Sequence, residues 1–275
     1  MNRLRTAVRI ICFTASFLAF SFHAAADTGD CPRTIPQLQA AIEKVLKETR
    51  TPGVGIAIVS RNRSEWVAGI GKADVAANQP VTTNTLFRLG SISKTFAAIA
   101  ALQLQEGGKL KLSDTVKQWV PDVTFINPWE ATQPLRLVHL LEQTSGFDDV
   151  HLREFAQNDP APVSLKDALA DNAACRVCRW PPGTRMSYCN AAPAVLAAVI
   201  EKTSGQRFED YVQEHILKPL RMDSASYFYT PTVAQRLTRL YHPDGVTVYP
   251  YWHIGLRPSA ALNASAADMA NYLRF

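Results

Sequence analysis

Apolar residues first recur at helical spacing at Ile35, Leu38, Ile42, Val45 and Leu46, directly after Thr34. Thr34-Ile35-Pro36-Gln37 also has the form of a helix-capping box, so a helix is predicted to start here. The period then changes. Residues 54–59 form a short β-branched apolar run, and residues 66–70 form a second one beyond the polar stretch 60–64. Two such runs on either side of a polar break predict an antiparallel hairpin. From Leu86 to about Leu220 the signal is mainly helical, with apolar spacing over 96–104, 135–141, 195–200 and 208–216. Gly107-Gly108, Gly146, Pro181-Pro182-Gly183 and Gly205 punctuate these segments, and Tyr- and Val-rich stretches return after Ser226. The order helix, two strands, many helices, then strand-like segments predicts an α+β fold with an inserted helical region. Residues 27–85 and 226–275 are expected to form the α/β part and 86–225 the mainly helical part.

The first residues read differently. Arg3, Arg5 and Arg9 precede an apolar run from residue 10 to about 22, and Ala24-Ala25-Ala26 follows. This is the pattern of a secretory signal peptide. Its apolar stretch falls short of the roughly 20 residues that span a bilayer. Cleavage after Ala26 and export to the periplasm or the exterior are expected, with no membrane association beyond the export signal; an uncleaved anchor is the lesser alternative. Removing residues 1–26 takes away three arginines and no acid, so the formal charge drops from +5 to +2. With so little charge and no Lys/Arg run, a nucleic-acid partner is not expected. A 47% apolar composition supports one large domain or two closely connected layers and excludes disorder.

Cys12 leaves with the signal, which leaves Cys31, Cys175, Cys178 and Cys189 and three possible full pairings. Cys175-Arg176-Val177-Cys178 has redox-pair spacing without the strand-to-helix setting that motif needs, so a structural disulfide and idle thiols are the readings left. A single C-x-x-C with scattered histidines does not make a zinc site. No metal and no cofactor are expected.

Chemistry is concentrated in two places. Gly90-Ser91-Ile92-Ser93-Lys94 sits where an extended segment gives way to an apolar helix. Residues three apart on a helix share a face, so the Lys94 amine can reach the Ser91 hydroxyl while Ser93 points elsewhere. A serine hydroxyl needs a neighbouring base to become a nucleophile, and a lysine can serve when burial or charge lowers its pKa. Backbone N–H groups at a helix start favour the negative charge that develops in acyl transfer. The second place is Tyr188-Cys189-Asn190, which follows a Pro-Gly turn and precedes a helix. A tyrosine there can shuttle a proton, and an asparagine can hold an amide. Either motif alone also fits a bland role: a solvated helix start, or a packed tyrosine with a capping asparagine.

The segment 86–96, LFRLGSISKTF, resembles the active-site segment of class C β-lactamases and of the wider β-lactamase-related family of esterases and D-amino-acid peptidases. Residues 107–121, 135–146, 182–201 and 208–222 resemble successive family segments in family order. The resemblance implies a β-lactamase/transpeptidase-like fold, an antiparallel sheet with flanking helices. It also implies an acyl-enzyme mechanism on a small-molecule or peptide substrate: Ser91 attacks, Lys94 and Tyr188 relay the proton, and Asn190 holds the substrate's amide. Candidate substrates are D-amino-acid peptides, simple esters and β-lactams. The alternative is a penicillin-reactive sensor or inactive homologue that does not turn over.

The sequence departs from the family pattern at Cys189, where alanine is usual, at Arg221, where glycine is common, and at Ala260-Ala261, which replaces a glycine pair. The third family motif is a Lys- or His-x-Gly strand that supplies a second oxyanion donor. His253-Ile254-Gly255 matches it in letters but comes too early, because residues 257–275 resemble the stretch preceding that strand. The sheet is therefore expected to be incomplete in this chain. Other enzyme classes lack their signatures, since there is no G-x-S-x-G elbow and no H-E-x-x-H. His139, set among leucines and a valine, reads as a packed histidine that orients the turn at Thr144-Ser145-Gly146.

Overall fold

The computed structural model describes residues 31–275 apart from positions 62 and 160. The signal-peptide expectation and Cys12 lie outside the described residues.

The chain opens with α1 (Ile35–Thr49), then β1 (Gly53–Ser60), β2 (Arg63–Asp74), β3 (Gln79–Pro80) and β4 (Leu86–Arg88). Next come α2 (Ser93–Glu106), α3 (Val116–Trp119), α4 (Leu137–Leu141), α5 (Leu152–Phe155), α6 (Leu165–Asp171), α7 (Ala191–Ser204) and α8 (Phe208–Val212). It finishes with α9 (Pro231–Arg236), β5 (Leu240–Tyr241), β6 (Val248–Tyr249), α10 (Arg257–Ala260), β7 (Asn263–Ser265) and α11 (Ala266–Leu273). The α+β architecture read from the periodicity is the one observed.

The Thr34 side chain caps α1 by accepting from the Gln37 N–H at 3.4 Å, and Pro36 sits in the first turn, where its missing N–H costs nothing. The reciprocal arm differs from the box expected. Gln37 accepts from the Arg33 N–H, one residue before the cap. β1 and β2 pair in antiparallel register from Gly53 opposite Gly71 to Ser60 opposite Arg63, with a bulge at Ile58/Val59. β3 extends this sheet on the β2 side, and β1 has no strand on its other edge among the described residues. α11 lies against β1 and β2, which covers one face of the hairpin.

The core sits in the helical half. α7 is buried nearly all round, from Ala191 through Ile200, as expected of a helix at the centre of a bundle. It packs on α2, whose buried face is Phe96, Ala97, Ala100, Ala101 and Leu104. Alanines on both helices allow close approach, since side-chain size at the contact sets interhelical distance. The helical run expected over 208–216 is present, but α8 changes to a π-helical turn over Gln213–Leu217. Arg221, at a position where glycine is common in the family resembled, has φ 54° and so adopts a left-handed conformation without a glycine.

Two connections bring the halves together. β4 pairs with β7, Leu86 opposite Ser265 and Arg88 opposite Asn263, and the Leu89 N–H donates to the Leu262 carbonyl at 2.9 Å. A buried ion pair, Arg257 Nε to Glu209 Oε1 at 2.6 Å, ties α10 to α8.

Candidate active site

Between β4 and α2 the chain must turn sharply, and Gly90 makes the turn at φ 56°. A Cβ there would meet nothing, so the requirement is for the left-handed backbone alone. Gly90–Ile92 then forms a 3₁₀ turn that runs into α2 at Ser93. In a 3₁₀ turn positions i and i+3 eclipse, which brings Lys94 over Ser91. Lys94 Nζ lies 3.1 Å from Ser91 Oγ. Ser93 points the other way: it is fully buried, and its Oγ accepts from the Leu262 N–H at 3.1 Å.

Lys94 has two further acceptors, Asn190 Oδ1 at 2.7 Å and the Ser259 carbonyl at 2.8 Å. Three oxygens therefore surround the Lys94 amine. The same amine sits 4.8 Å from the centre of the Tyr188 ring. The Tyr188 hydroxyl donates to Ser91 Oγ at 2.6 Å. The structure thus brings all four sequence-selected residues, Ser91, Lys94, Tyr188 and Asn190, into one hydrogen-bonded group. Ser91 and Tyr188 face solvent, and Lys94 and Asn190 are half-buried behind them.

What holds Tyr188 and Asn190 in place is the loop 143–149, which sequence reasoning missed. The Ser187 N–H donates to the Gln143 carbonyl at 2.8 Å, and the Cys189 N–H donates to Gln143 Oε1 at 2.7 Å. Gln143 itself sits at φ 59°, a strained conformation for a residue other than glycine, maintained by this double contact. The Cys189 thiol, fully buried, donates to the Asp148 carbonyl. Asp149 accepts from both the backbone N–H and the side-chain amide of Asn190. Ser259, in α10, was missed as well. Its Oγ donates to the Asn190 carbonyl at 2.5 Å while its own carbonyl receives Lys94. No periodic pattern marks these positions. The available signals were that Gln143 and Ser259 fell inside segments resembling the family and that Thr144-Ser145-Gly146 read as a turn.

The two histidines lie elsewhere. His139 Nδ1 accepts from the Arg136 N–H, and its ring packs against Gly183, where a Cβ would come within 2.9 Å of Nε2. Its carbonyl accepts from the Thr144 N–H, and burial lowers its pKa. His253 stacks edge-on against Tyr229 and Tyr251, and its backbone pairs with Gln157. All four described cysteines are free thiols, Cys31 exposed and the other three buried. Among the described residues no cluster of three or more His, Cys, Asp or Glu side chains is placed to hold a metal.

A sequence model of the family described as Beta-lactamase matches residues 38–275. A β-lactamase of Yersinia enterocolitica is 29% identical over 185 residues, covering 65% of this chain and 43% of that protein. A β-lactamase of Escherichia coli K12 is 29% identical over 212 residues, 77% of this chain and 53% of the relative. Among solved structures, the octameric penicillin-binding protein homologue from Pyrococcus abyssi superimposes with a TM-score of 0.75 at 27% identity, covering 87% of this chain and 55% of that one. The chain spans about half the length of the curated relatives it matches.

Proposed function

We propose that this chain, which belongs to the Beta-lactamase family, is a serine hydrolase that cleaves an ester or amide through an acyl-enzyme on Ser91. The observation that carries the proposal is the double approach to Ser91 Oγ, by Lys94 Nζ at 3.1 Å and the Tyr188 hydroxyl at 2.6 Å. A hydroxyl flanked by an amine and a phenol has somewhere to send its proton.

In the reaction the Lys94–Tyr188 pair starts in its base form, one proton short of ammonium plus phenol; Ser91 Oγ bonds to the substrate's carbonyl carbon as its proton passes to that coupled pair. The carbonyl electron pair moves to oxygen, where the Ser91 backbone N–H at the head of the helical run offers a donor. Collapse breaks the bond to the leaving alcohol or amine, which takes a proton back from the pair. Water then attacks the acyl carbon along the same route and frees Ser91. Asn190 keeps Lys94 in place and presents its amide to the substrate. The substrates we propose are D-amino-acid peptides, simple esters and β-lactams. The basic and apolar opening of the chain, ending in Ala24-Ala25-Ala26, supports export, where such substrates are met.

The test uses p-nitrophenyl esters and a chromogenic cephalosporin, with intact-protein mass spectrometry to detect acylation. Turnover and the acyl adduct are expected with the native chain, and both are expected to vanish in Ser91→Ala. A Ser91→Ala protein that hydrolyses these substrates at the native rate overturns the assignment.

A further inference from the structure

Asn190 can serve Lys94 only if its carboxamide oxygen, not its nitrogen, faces the amine, and an isolated carboxamide has two nearly equal orientations. In this structure the choice is made from behind. Asp149 Oδ1 accepts from the Asn190 backbone N–H at 2.8 Å and from Asn190 Nδ2 at 3.0 Å, and Oδ2 lies 3.1 Å from the same Nδ2. On the far side of the amide, Asn190 Oδ1 receives Lys94 Nζ at 2.7 Å. The amide dipole is therefore spanned by a carboxylate at its donor end and an amine at its acceptor end. Turning the amide over would set its NH₂ against the amine and its oxygen against the carboxylate, so both contacts would become repulsive.

We infer that Asp149 is a positioning residue of the Ser91 site. By fixing the orientation of the Asn190 amide it fixes where Lys94 stands relative to Ser91. The inference rests on the hydrolase reading above and assigns Asp149 no contact with substrate. Asp149 is half-buried, and its Oδ1 also accepts from the Val150 N–H at 2.8 Å, so part of its work is to shape the local turn. A test must separate the two roles.

Asp149→Asn keeps the shape but removes the charge and confronts Asn190 with a competing NH₂ group. It is expected to lower kcat for a p-nitrophenyl ester by about 10²-fold, the scale of a misplaced catalytic group, with KM little changed. Asn190→Ala should produce a similar loss. Combining the two should cost no more than Asn190→Ala alone, because Asp149 acts through Asn190. Asp149→Ser, which retains a short oxygen acceptor for the turn, is the second variant and is read in the same way should Asp149→Asn not fold. A folded Asp149 variant with native kcat overturns the inference, as do losses that multiply in the double variant. A fluorophosphonate probe on the native chain monitors the underlying reading. Labelling of Ser91 together with an indifferent Asp149 removes the positioning role alone, whereas absence of labelling removes the hydrolase assignment and this inference with it.

Discussion

The Tyr188 hydroxyl donates to Ser91 Oγ across 2.6 Å although the two residues stand 97 positions apart in the chain. Tyr188 is 47% exposed, so its hydroxyl contributes little to packing. Tyr188→Phe is expected to lower kcat by about 10² to 10⁴, the usual worth of general acid–base help, and to leave the urea midpoint unchanged. Undiminished ester turnover in that variant removes the phenol from the mechanism.

The Arg257–Glu209 pair presents the opposite balance, structural and deeply placed, with side-chain exposures of 9% and 3%. Arg257 also donates to the Val163 carbonyl and lies over the Phe228 ring. Arg257→Met leaves the buried Glu209 carboxylate with only the half-exposed Arg207 at 3.7 Å and is expected to cost about 3 kcal/mol in urea unfolding. Arg257→Met combined with Glu209→Gln should recover much of that loss. A single-variant loss below about 1 kcal/mol, in the range of exposed pairs, contradicts this picture.

Gly183 and Arg221 are complementary cases of left-handed backbone. Gly183 has φ 85° and faces the His139 ring, so Gly183→Ala adds both backbone strain and a 2.9 Å contact. A loss of about 1–3 kcal/mol in thermal unfolding is expected. Arg221 has φ 54° with a full side chain. Arg221→Gly is expected to be neutral or to stabilise by up to about 1 kcal/mol, as the strain relieved is offset by the freedom glycine gains in the unfolded chain. Gly183→Ala should therefore destabilise and Arg221→Gly should not; a stabilising Gly183→Ala would refute the local geometry.

Burial pushes the Cys175 and Cys178 thiols up to about 12 and the Cys189 thiol up to about 11. Because the thiolate is the reactive form, iodoacetamide at pH 8 should modify exposed Cys31 and spare the other three until the protein unfolds. Equal reaction at Cys189 in the folded state would contradict its burial. The same shifts give a sign for stability. An unfolded thiol ionises near 9.0 and these folded ones only near 11 to 12, so stability is full below about pH 9 and declines as pH rises through that window.

Much of this was legible in the sequence for a physical reason. The β1–β2 hairpin, α2 and α7 bury one face or all faces, and burial leaves a period in the residue order, while α1 keeps the helical apolar spacing although none of its residues is buried. The closeness of Ser91 and Lys94 was legible because a helical turn fixes it locally. The loop 143–149 was not legible. Its hold on Tyr188 and Asn190 runs through a strained glutamine and a carboxylate whose partners lie some 40 residues away, at separations of 46 and 41. Such bonds have no period. The Gln37 side chain shows the same limit at short range, since the motif predicted the bond but placed it one residue late.

Leu86 and Ser265 are paired across 179 positions of the chain, and that pairing brings the Ser259 carbonyl to Lys94. Closing so long a loop is entropically slow compared with winding α2 or α7. During refolding, far-ultraviolet ellipticity should therefore return first and catalytic competence afterwards, so enzyme assay would report the final knitting of the molecule and not its collapse.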